Sequence, residues 1–178
     1  MKMPFTPFHL GFGVFVFSVL IFLDPIALLL GTILIDIEAF MRLILNINPL
    51  HGILHSMLGV IVFFIPTVLM SWGCYKIFKL EKYLRKFNWG ISIVSSLIGL
   101  FSHVFFDSII YPEVMMFYPF SNKSGILLGA ISERMDYYLL VILFSAGTII
   151  LGIRFVVKRY RNRKEKGNQL VDQSTQKN

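Results

Sequence analysis

The hydrophobic and polar positions of this chain alternate in long blocks. A first apolar run extends from Phe8 to Leu23 and ends at Asp24-Pro25, a pair typical of a turn in which Asp24 caps a new helix. Only Lys2 adds a charge before this run, and no small-x-small cleavage site follows it, unlike a cleavable signal peptide. The pattern predicts a first membrane helix that stays in the protein.

Four further apolar segments follow. The second extends from Pro25 to about Phe40, but its uninterrupted part ends at Ile35 and covers little more than half of a hydrocarbon core ~30 Å thick, unless the helix tilts. The other three, over about 51–75, 88–111 and 136–157, are each long enough to cross. We expect an all-α, polytopic transmembrane bundle of about five membrane-embedded helices over residues 1–160.

The composition supports a membrane protein. Apolar residues make up 56% of the chain and charged residues 15%, against about 25% in soluble domains. The single cysteine excludes an internal disulfide and a cysteine-only metal site. The net charge of +7 could suggest nucleic acid, but the basic residues cluster beside apolar runs, where anionic lipid head groups are the natural partner. Membrane lipids, and no nucleic acid, are the expected partners.

Two basic clusters predict the orientation. KIFKLEKYLRKF separates the third and fourth segments, and KRYRNRKEK follows the fifth. Two loops separated by two crossings share a side, which the positive-inside rule identifies as cytoplasmic. On this topology 13 of the 17 Lys and Arg residues are cytoplasmic. We expect a multi-pass protein of the plasma (inner) membrane with a basic, disordered cytoplasmic tail over 161–178.

Ionisable residues gather at the external ends of four predicted helices: His9, Asp36, Glu38, His51, His55, His103 and Asp107. His51 and His55 are four residues apart, as are His103 and Asp107, so each pair is expected on one helix face. Asp36 and Glu38, two apart, diverge on a regular helix, so only one could face inward unless the helix unwinds. Asp36 is favoured as the inward ligand.

This cluster predicts a metal site. Ionisable groups at membrane depth cost roughly 2.5 to 3.5 kcal/mol each on insertion scales, and a divalent cation offsets that cost. Imidazole and carboxylate without thiolate suit zinc first, with iron, manganese or nickel as alternatives. The predicted ligands are His51, His55, His103 and Asp107. The residues predicted to assist catalysis are His9, Asp36 and Glu38.

Structural interpretations of the same residues remain open. A single transmembrane histidine more often forms a hydrogen bond between helices than binds a metal. Glu38 can pair with Arg42, four residues later, and Asp107 can orient a histidine instead of binding the ion. The stretch from Pro112 to Glu133 is too apolar for a solvated loop, and we expect a lid over the external mouth or an interfacial anchor.

Four motifs follow one another over roughly residues 3–125: TPFHLGFG, GTILIDIEAF, LHGILHSMLG and SHVFFDSIIYPEVMMFYPFS. Their order and approximate spacing are similar to those of the prokaryotic YdjM-like membrane-bound metal-dependent hydrolases. The family pattern falls here on His9, on Asp36 with Glu38, on His51 with His55 and Ser56, on His103 with Asp107, and on Pro119-Phe120-Ser121. The resemblance implies an inner-membrane hydrolase but supplies no substrate.

One position departs from the family pattern. Many such sequences carry an arginine beside the first histidine of the third segment, whereas Gly52 follows His51 here. A phosphate-binding arginine must then come from elsewhere, and Arg42 and Arg134 are the candidates. Together with Lys123 they are expected to bind an anionic substrate, with Ser56 in a supporting role.

These observations predict a hydrolase that cleaves an ester or phosphoester of a lipid-like substrate at the outer membrane face. Metal-activated water would attack, and a carboxylate not bound to the metal would act as base. One alternative is a metal-ion or proton-coupled transporter, which is disfavoured because no polar residues are expected between the external cluster and Lys76. The other is a non-catalytic scaffold whose histidines only link helices.

Overall fold

Every regular element in the part of the chain that the computed structural model describes, residues 9–123 and 133–175, is helical. The helices are α1 (Leu10–Val19), α2 (Pro25–Gly31), α3 (Asp36–Ile44), α4 (Met57–Ile77), α5 (Trp89–Ile110) and α6 (Glu133–Thr175). A single 3-10 turn, Leu80–Lys82, lies between α4 and α5. The predicted all-α membrane bundle is confirmed.

Within residues 9–123 and 133–175, three helical segments are long and apolar enough to span a membrane: Met57–Ile77, Trp89–Ile110 and Tyr138–Glu165. The first predicted span is the shorter apolar helix α1, and turns at 32–35 divide the second into α2 and α3. These N-terminal helices are therefore shorter than the ~20 residues of a full crossing. At the other end, α6 continues to Thr175, so the structure has helix where a disordered tail was predicted from residue 161.

Side-chain caps fix where α2 and α5 begin. The Asp24 carboxylate accepts hydrogen bonds from the backbone N–H groups of Ile26 and Ala27, at 2.9 and 3.2 Å, with Pro25 in the first turn. The predicted cap is therefore confirmed. Asn88 caps α5 in the same way, since its Oδ1 lies 3.0 Å from the backbone nitrogen of Ile91. These caps satisfy N–H groups that a helix cannot pair internally.

Helix α2 packs closely against α5, and this contact positions the functional residues. A Cβ added at Gly99 would overlap the carbonyl oxygen of Leu28 and lie 3.0 Å from the Cα of Gly31. The two helices therefore touch backbone to backbone, as small residues permit in membrane bundles. Around this crossing, α1 packs against α2 and α6, and α4 packs against α2 and α5.

The apolar core lies beside this crossing, and the outer faces of the long helices remain apolar. Five buried residues form the main core cluster: Ile35, Val60, Leu100, Val104 and Met116. Large apolar side chains on α4 and α6 are exposed, including Ile61, Ile65, Leu69, Ile142 and Ile149. A helix with an apolar outer face is suited to contact with lipid tails.

Candidate metal centre

Four buried side chains from separate parts of the chain converge at one end of α5. Asp36 begins α3, His55 precedes α4, and His103 and Asp107 lie one turn apart on α5. One possible ligand atom from each residue lies within 4.8 Å of those of the other three. We call these four residues the metal-binding cluster.

The separations within the metal-binding cluster suit a common ion. His103 Nε2 lies 3.2 Å from Asp36 Oδ1 and 3.1 Å from Asp107 Oδ2. His55 Nε2 lies 3.6 Å and 3.7 Å from the same two oxygens. Ligands at ~2.1 Å from a tetrahedral zinc ion would stand about 3.4 Å from one another. The observed separations are close to that value.

Buried atoms in the cluster also fit a bound ion. Within the described part of the chain, His55 Nε2, His103 Nε2 and Asp107 Oδ2 are buried and lie near one another, but they form no well-aligned hydrogen bond. Leaving a buried polar atom without a partner costs about 1–3 kcal/mol, and native structures rarely do so without a reason. Nitrogen and oxygen donors without thiolate can bind zinc, iron, manganese or nickel. The cluster can therefore hold a divalent metal ion.

A backbone carbonyl orients the imidazole of His103. Its Nδ1 lies 2.7 Å from the carbonyl oxygen of Thr32, where α2 ends. This oxygen is available because the backbone N–H of Asp36 donates to Ile33, at 3.2 Å, instead of reaching back four residues to Thr32. With Nδ1–H donated to the carbonyl, the lone pair of Nε2 faces the cluster. The sequence contained no signal for Thr32.

Two acidic residues contact the two nitrogens of His55. Asp36 lies at Nε2, whereas Glu38 Oε2 lies 3.1 Å from Nδ1. The two ring nitrogens of His55 point in different directions. Asp36 and Glu38 also diverge on α3, so each carboxylate contacts a different nitrogen. Burial disfavours the charged form of Glu38, but its contacts with His55 and with Arg42 Nε, at 3.2 Å, outweigh this and lower its pKa. Glu38 thereby orients His55 toward the cluster.

His9 and His51 lie beside the metal-binding cluster. His9 Nε2 is 3.4 Å from Asp107 Oδ1, and its ring lies 4.3 Å from that of His103 between centroids. The expected helical register of His51 and His55 is wrong, because α4 begins only at Met57. Their rings nevertheless meet, with centroids 4.8 Å apart.

His51 contacts an acidic residue that sequence reasoning did not single out. Its Nδ1 lies 3.3 Å from Oε1 of Glu113, in the segment after α5. Burial lowers the pKa of His51, although the nearby Asp107 and Glu113 carboxylates oppose this effect. The spacing of Glu113 from the other acidic residues follows no helical period, so the sequence pattern did not predict its role. Its contact with His51 arises because the segment after α5 returns over α4.

The segment after α5 packs over the start of α4. Backbone N–H groups of Met57 and Leu58 donate to the carbonyl oxygens of Met116 and Tyr118, at 2.8 and 3.1 Å. These bonds satisfy helix-start groups and hold the segment beside the cluster. Residues 124–132 of the predicted lid lie outside the described residues, so its closure over the mouth stays a prediction.

The guanidinium of Arg42 lies beside Gly52. A side chain on Gly52 would collide with Glu38 Oε1 and with the guanidinium of Arg42. Arg42 therefore occupies the space beside Gly52, and its Nη1 also donates to the carbonyl of Pro49, at 3.2 Å. The absence of a side chain at Gly52 makes room for the Glu38–Arg42 pair.

The other predicted substrate-binding residues are placed differently. Ser56 caps α4, accepting from the backbone N–H of Leu58 at 3.2 Å and donating to the carbonyl of Ile53. Lys123 is exposed, and its backbone N–H donates to Ser121. The side chain of Arg134 lies outside the described part of the chain. Their contribution to substrate binding stays a prediction.

A second polar cluster, which the sequence analysis did not expect, lies at the other end of the bundle. The carboxylate of Asp24 accepts hydrogen bonds from Ser71, at 2.8 Å, and Ser92, and its backbone N–H donates to Ser95. The sequence predicted no polar residues that complete a path between the external cluster and Lys76, and this group adds polar residues at the end of the bundle near Asp24. The backbone contact between α2 and α5 lies between this group and the metal-binding cluster.

Comparison with known proteins gives one family. The model of the family described as YdjM inner membrane protein matches residues 3–170. This match confirms the resemblance carried by the four motifs and covers nearly the whole chain. Neither the curated proteins nor the solved structures gave a match.

Proposed function

Since the chain belongs to the YdjM inner membrane protein family, we propose that it is a membrane-embedded, metal-dependent hydrolase. The substrate would be an ester or phosphoester of a lipid-like molecule, and the reaction would take place at the outer membrane face. The observation that supports this proposal most is the metal-binding cluster, whose four buried residues leave three ligand atoms without well-aligned hydrogen bonds among the described residues.

The metal-binding cluster would hold the ion through Asp36, His55, His103 and Asp107. When bound, a divalent cation such as zinc supplies Lewis acidity and lowers the pKa of water toward ~7. The carbonyl of Thr32 and the carboxylate of Glu38 keep the protons of the two histidines on Nδ1. Both Nε2 atoms are then free to bind, as in carboxylate–histidine–metal arrangements.

His51 would accept the proton of the attacking water. Its ring packs against that of His55, and its Nδ1 contacts Glu113. With Nδ1–H donated to the Glu113 carboxylate, Nε2 would accept the proton, and Glu113 would stabilise the imidazolium that forms. The side chain of Glu113 is 22% exposed, which gives the proton a route to water.

Arg42 would bind the anionic part of the substrate. Its Nε pairs with Glu38, which itself contacts His55, so the guanidinium is held beside the metal-binding cluster. Its side chain is 25% exposed. A planar guanidinium can form two parallel hydrogen bonds with a phosphate. A phosphoester is therefore the favoured substrate class.

Removal of the metal tests the proposal. We expect the purified protein to contain about one divalent ion per chain and to release product from phospholipids or lipid phosphates in mixed micelles. Chelation should abolish this activity, and zinc or another first-row metal should restore it. Elemental analysis measures the metal content, and product release measures the hydrolytic activity. Protein without metal, with activity unchanged by chelation, would contradict the proposal.

A substitution of Glu38 tests its orienting role. We expect Glu38→Ala to weaken metal affinity about 10–100-fold, the usual cost of losing a residue that orients a ligand, while saturating metal still restores one ion per chain. Metal titration followed by elemental analysis measures both. Glu81→Ala, an exposed acid in the α4–α5 connection, should leave affinity unchanged. Failure to bind metal even at saturation would instead make Glu38 a ligand.

A further inference from the structure

A cavity of about 520 Å³ lies at the end of α5 away from the metal-binding cluster. Asn88 and Ile91 line it at the start of α5, and Ile91 precedes His103 by about 18 Å of helix. Three cationic residues also line this cavity: Arg85 and Lys86 from the α4–α5 connection, and Lys158 from α6.

The three cations of this cavity are available to a ligand. All are exposed, and within the described residues none pairs with a carboxylate. Asp24 also lines the cavity, but it is only 5% exposed, and its carboxylate accepts the hydrogen bonds of the α2 cap and of Ser71. The accessible charge of the cavity is therefore positive, which selects an anionic ligand.

A second cavity extends this basic surface along α6. Its volume is also about 520 Å³, and it shares Tyr83 and Lys158 with the first cavity. Arg159 and Arg163 add two further cations to its wall. Basic pockets of this kind between transmembrane helices are typical of sites for phosphate-bearing head groups.

Apolar side chains also line the first cavity. Phe17, Ile21 and Phe22 line it near the end of α1, and Ile21 and Phe22 are 52% and 51% exposed. Trp89, next to the lining residue Asn88, stacks on Trp72 with ring centroids 6.2 Å apart. Tryptophan is enriched at the level of lipid head groups. The cavity is therefore lined by both cationic and apolar side chains, and its position beside Trp89 fits the level of the lipid head groups.

We propose that this cavity binds an anionic phospholipid. Arg85, Lys86 and Lys158 would contact the phosphate, and an acyl chain would lie along Phe17, Ile21 and Phe22. The charge distribution predicts that this end faces the cytoplasm, so the ligand would come from the inner leaflet. The site is separate from the metal-binding cluster, and its existence does not depend on hydrolysis.

Tryptophan fluorescence tests the site, because Trp72 and Trp89 are the two tryptophans of the chain. The full-length protein in nonionic detergent is titrated with short-chain phosphatidylglycerol, phosphatidylcholine or inorganic phosphate, and native mass spectrometry records retained lipid. We expect saturable binding of phosphatidylglycerol. The variant R85Q/K86Q/K158Q should weaken it about tenfold or more. The control K76Q/K79Q/K164Q, with the same loss of charge outside both cavities, should change it less than about twofold.

Several results would overturn the proposal. Equal weakening by both triple variants would show a general charge effect. Equal binding of phosphatidylcholine, which has a phosphate but no net charge, would show that the cavity does not select an anionic lipid. Competition by inorganic phosphate at the same concentration would identify a soluble anion as the ligand. The absence of both a fluorescence change and retained phosphatidylglycerol would exclude the site. If the first triple variant does not fold, Lys158→Glu tests the same weakening with a single substitution.

Discussion

Asp107→Asn is expected to abolish metal binding at the proposed site, and with it the proposed hydrolysis of lipid phosphoesters. The Oδ2 atom of Asp107 lies 3.1 Å from Nε2 of His103 and 3.7 Å from Nε2 of His55, so its charge is central to the metal-binding cluster. Asparagine keeps the shape of the side chain but removes its negative charge. We expect metal affinity to fall about 100-fold or more, beyond the 10–100-fold cost of losing an orienting residue.

His51→Gln provides a matched comparison, because His51 lies next to the cluster but outside it. This variant should retain about one ion per chain and lose about 100-fold or more in kcat, the range in which a positioned acid–base group contributes. Elemental analysis, steady-state hydrolysis and circular dichroism of both variants separate metal binding, catalysis and folding. Retained metal in Asp107→Asn would refute the site, and lost metal in His51→Gln would make His51 a ligand.

The sequence predicted the class of fold and most of the residues that meet. Apolar blocks are strong signals of membrane helices, and the positions of ionisable residues at helix ends predicted that His51, His55, His103 and Asp107 meet, with Asp36 beside them. The metal-binding cluster contains three of these predicted ligands, with Asp36 in the place predicted for His51. Such residues are costly in a bilayer, so their shared location at one end of the bundle carries information. Length patterns alone did not show that turns at 32–35 interrupt the second segment.

The unpredicted contacts depend on the backbone and on distant loops. Thr32 acts through its carbonyl oxygen, which every residue has, so its type gives no signal. Glu113 reaches His51 only because the segment after α5 returns over α4. Asp24 was expected as a helix cap, but its hydrogen bonds with Ser71 and Ser92 join three helices and require tertiary structure. Local patterns identify ligands better than they identify the groups that orient them.

Gly99 should be among the least replaceable residues of the fold. A Cβ at this position would overlap the carbonyl oxygen of Leu28, and backbone atoms cannot move aside as the end of a flexible side chain can. We expect Gly99→Ala to force α2 and α5 apart at a cost of about 1–3 kcal/mol, the range for overpacking. Since His103 lies one turn further along α5 and contacts Thr32 at the end of α2, metal affinity should fall as well.

Gly73→Ala is the matched control, because it is the same change inside α4 and a Cβ there meets no atom within 4 Å. Alanine favours a helix over glycine by about 0.5–1 kcal/mol, so this variant should be unchanged or slightly more stable. Apparent melting temperatures in one detergent, followed by circular dichroism with and without metal, compare the two. A Gly99→Ala protein as stable as Gly73→Ala would show that α2 and α5 do not approach so closely.

A second substitution makes the test specific for the helix crossing. A Cβ at Gly31 would lie 2.8 Å from the carbonyl oxygen of Ser96 and 3.1 Å from the Cα of Gly99, so both glycines serve the same contact. Once Gly99→Ala has separated the helices, Gly31→Ala should add little. The double variant is therefore expected to lose less stability than the two single losses together, as for residues that share one contact. Strictly additive losses would mean that each glycine acts within its own helix and that the two do not share one contact.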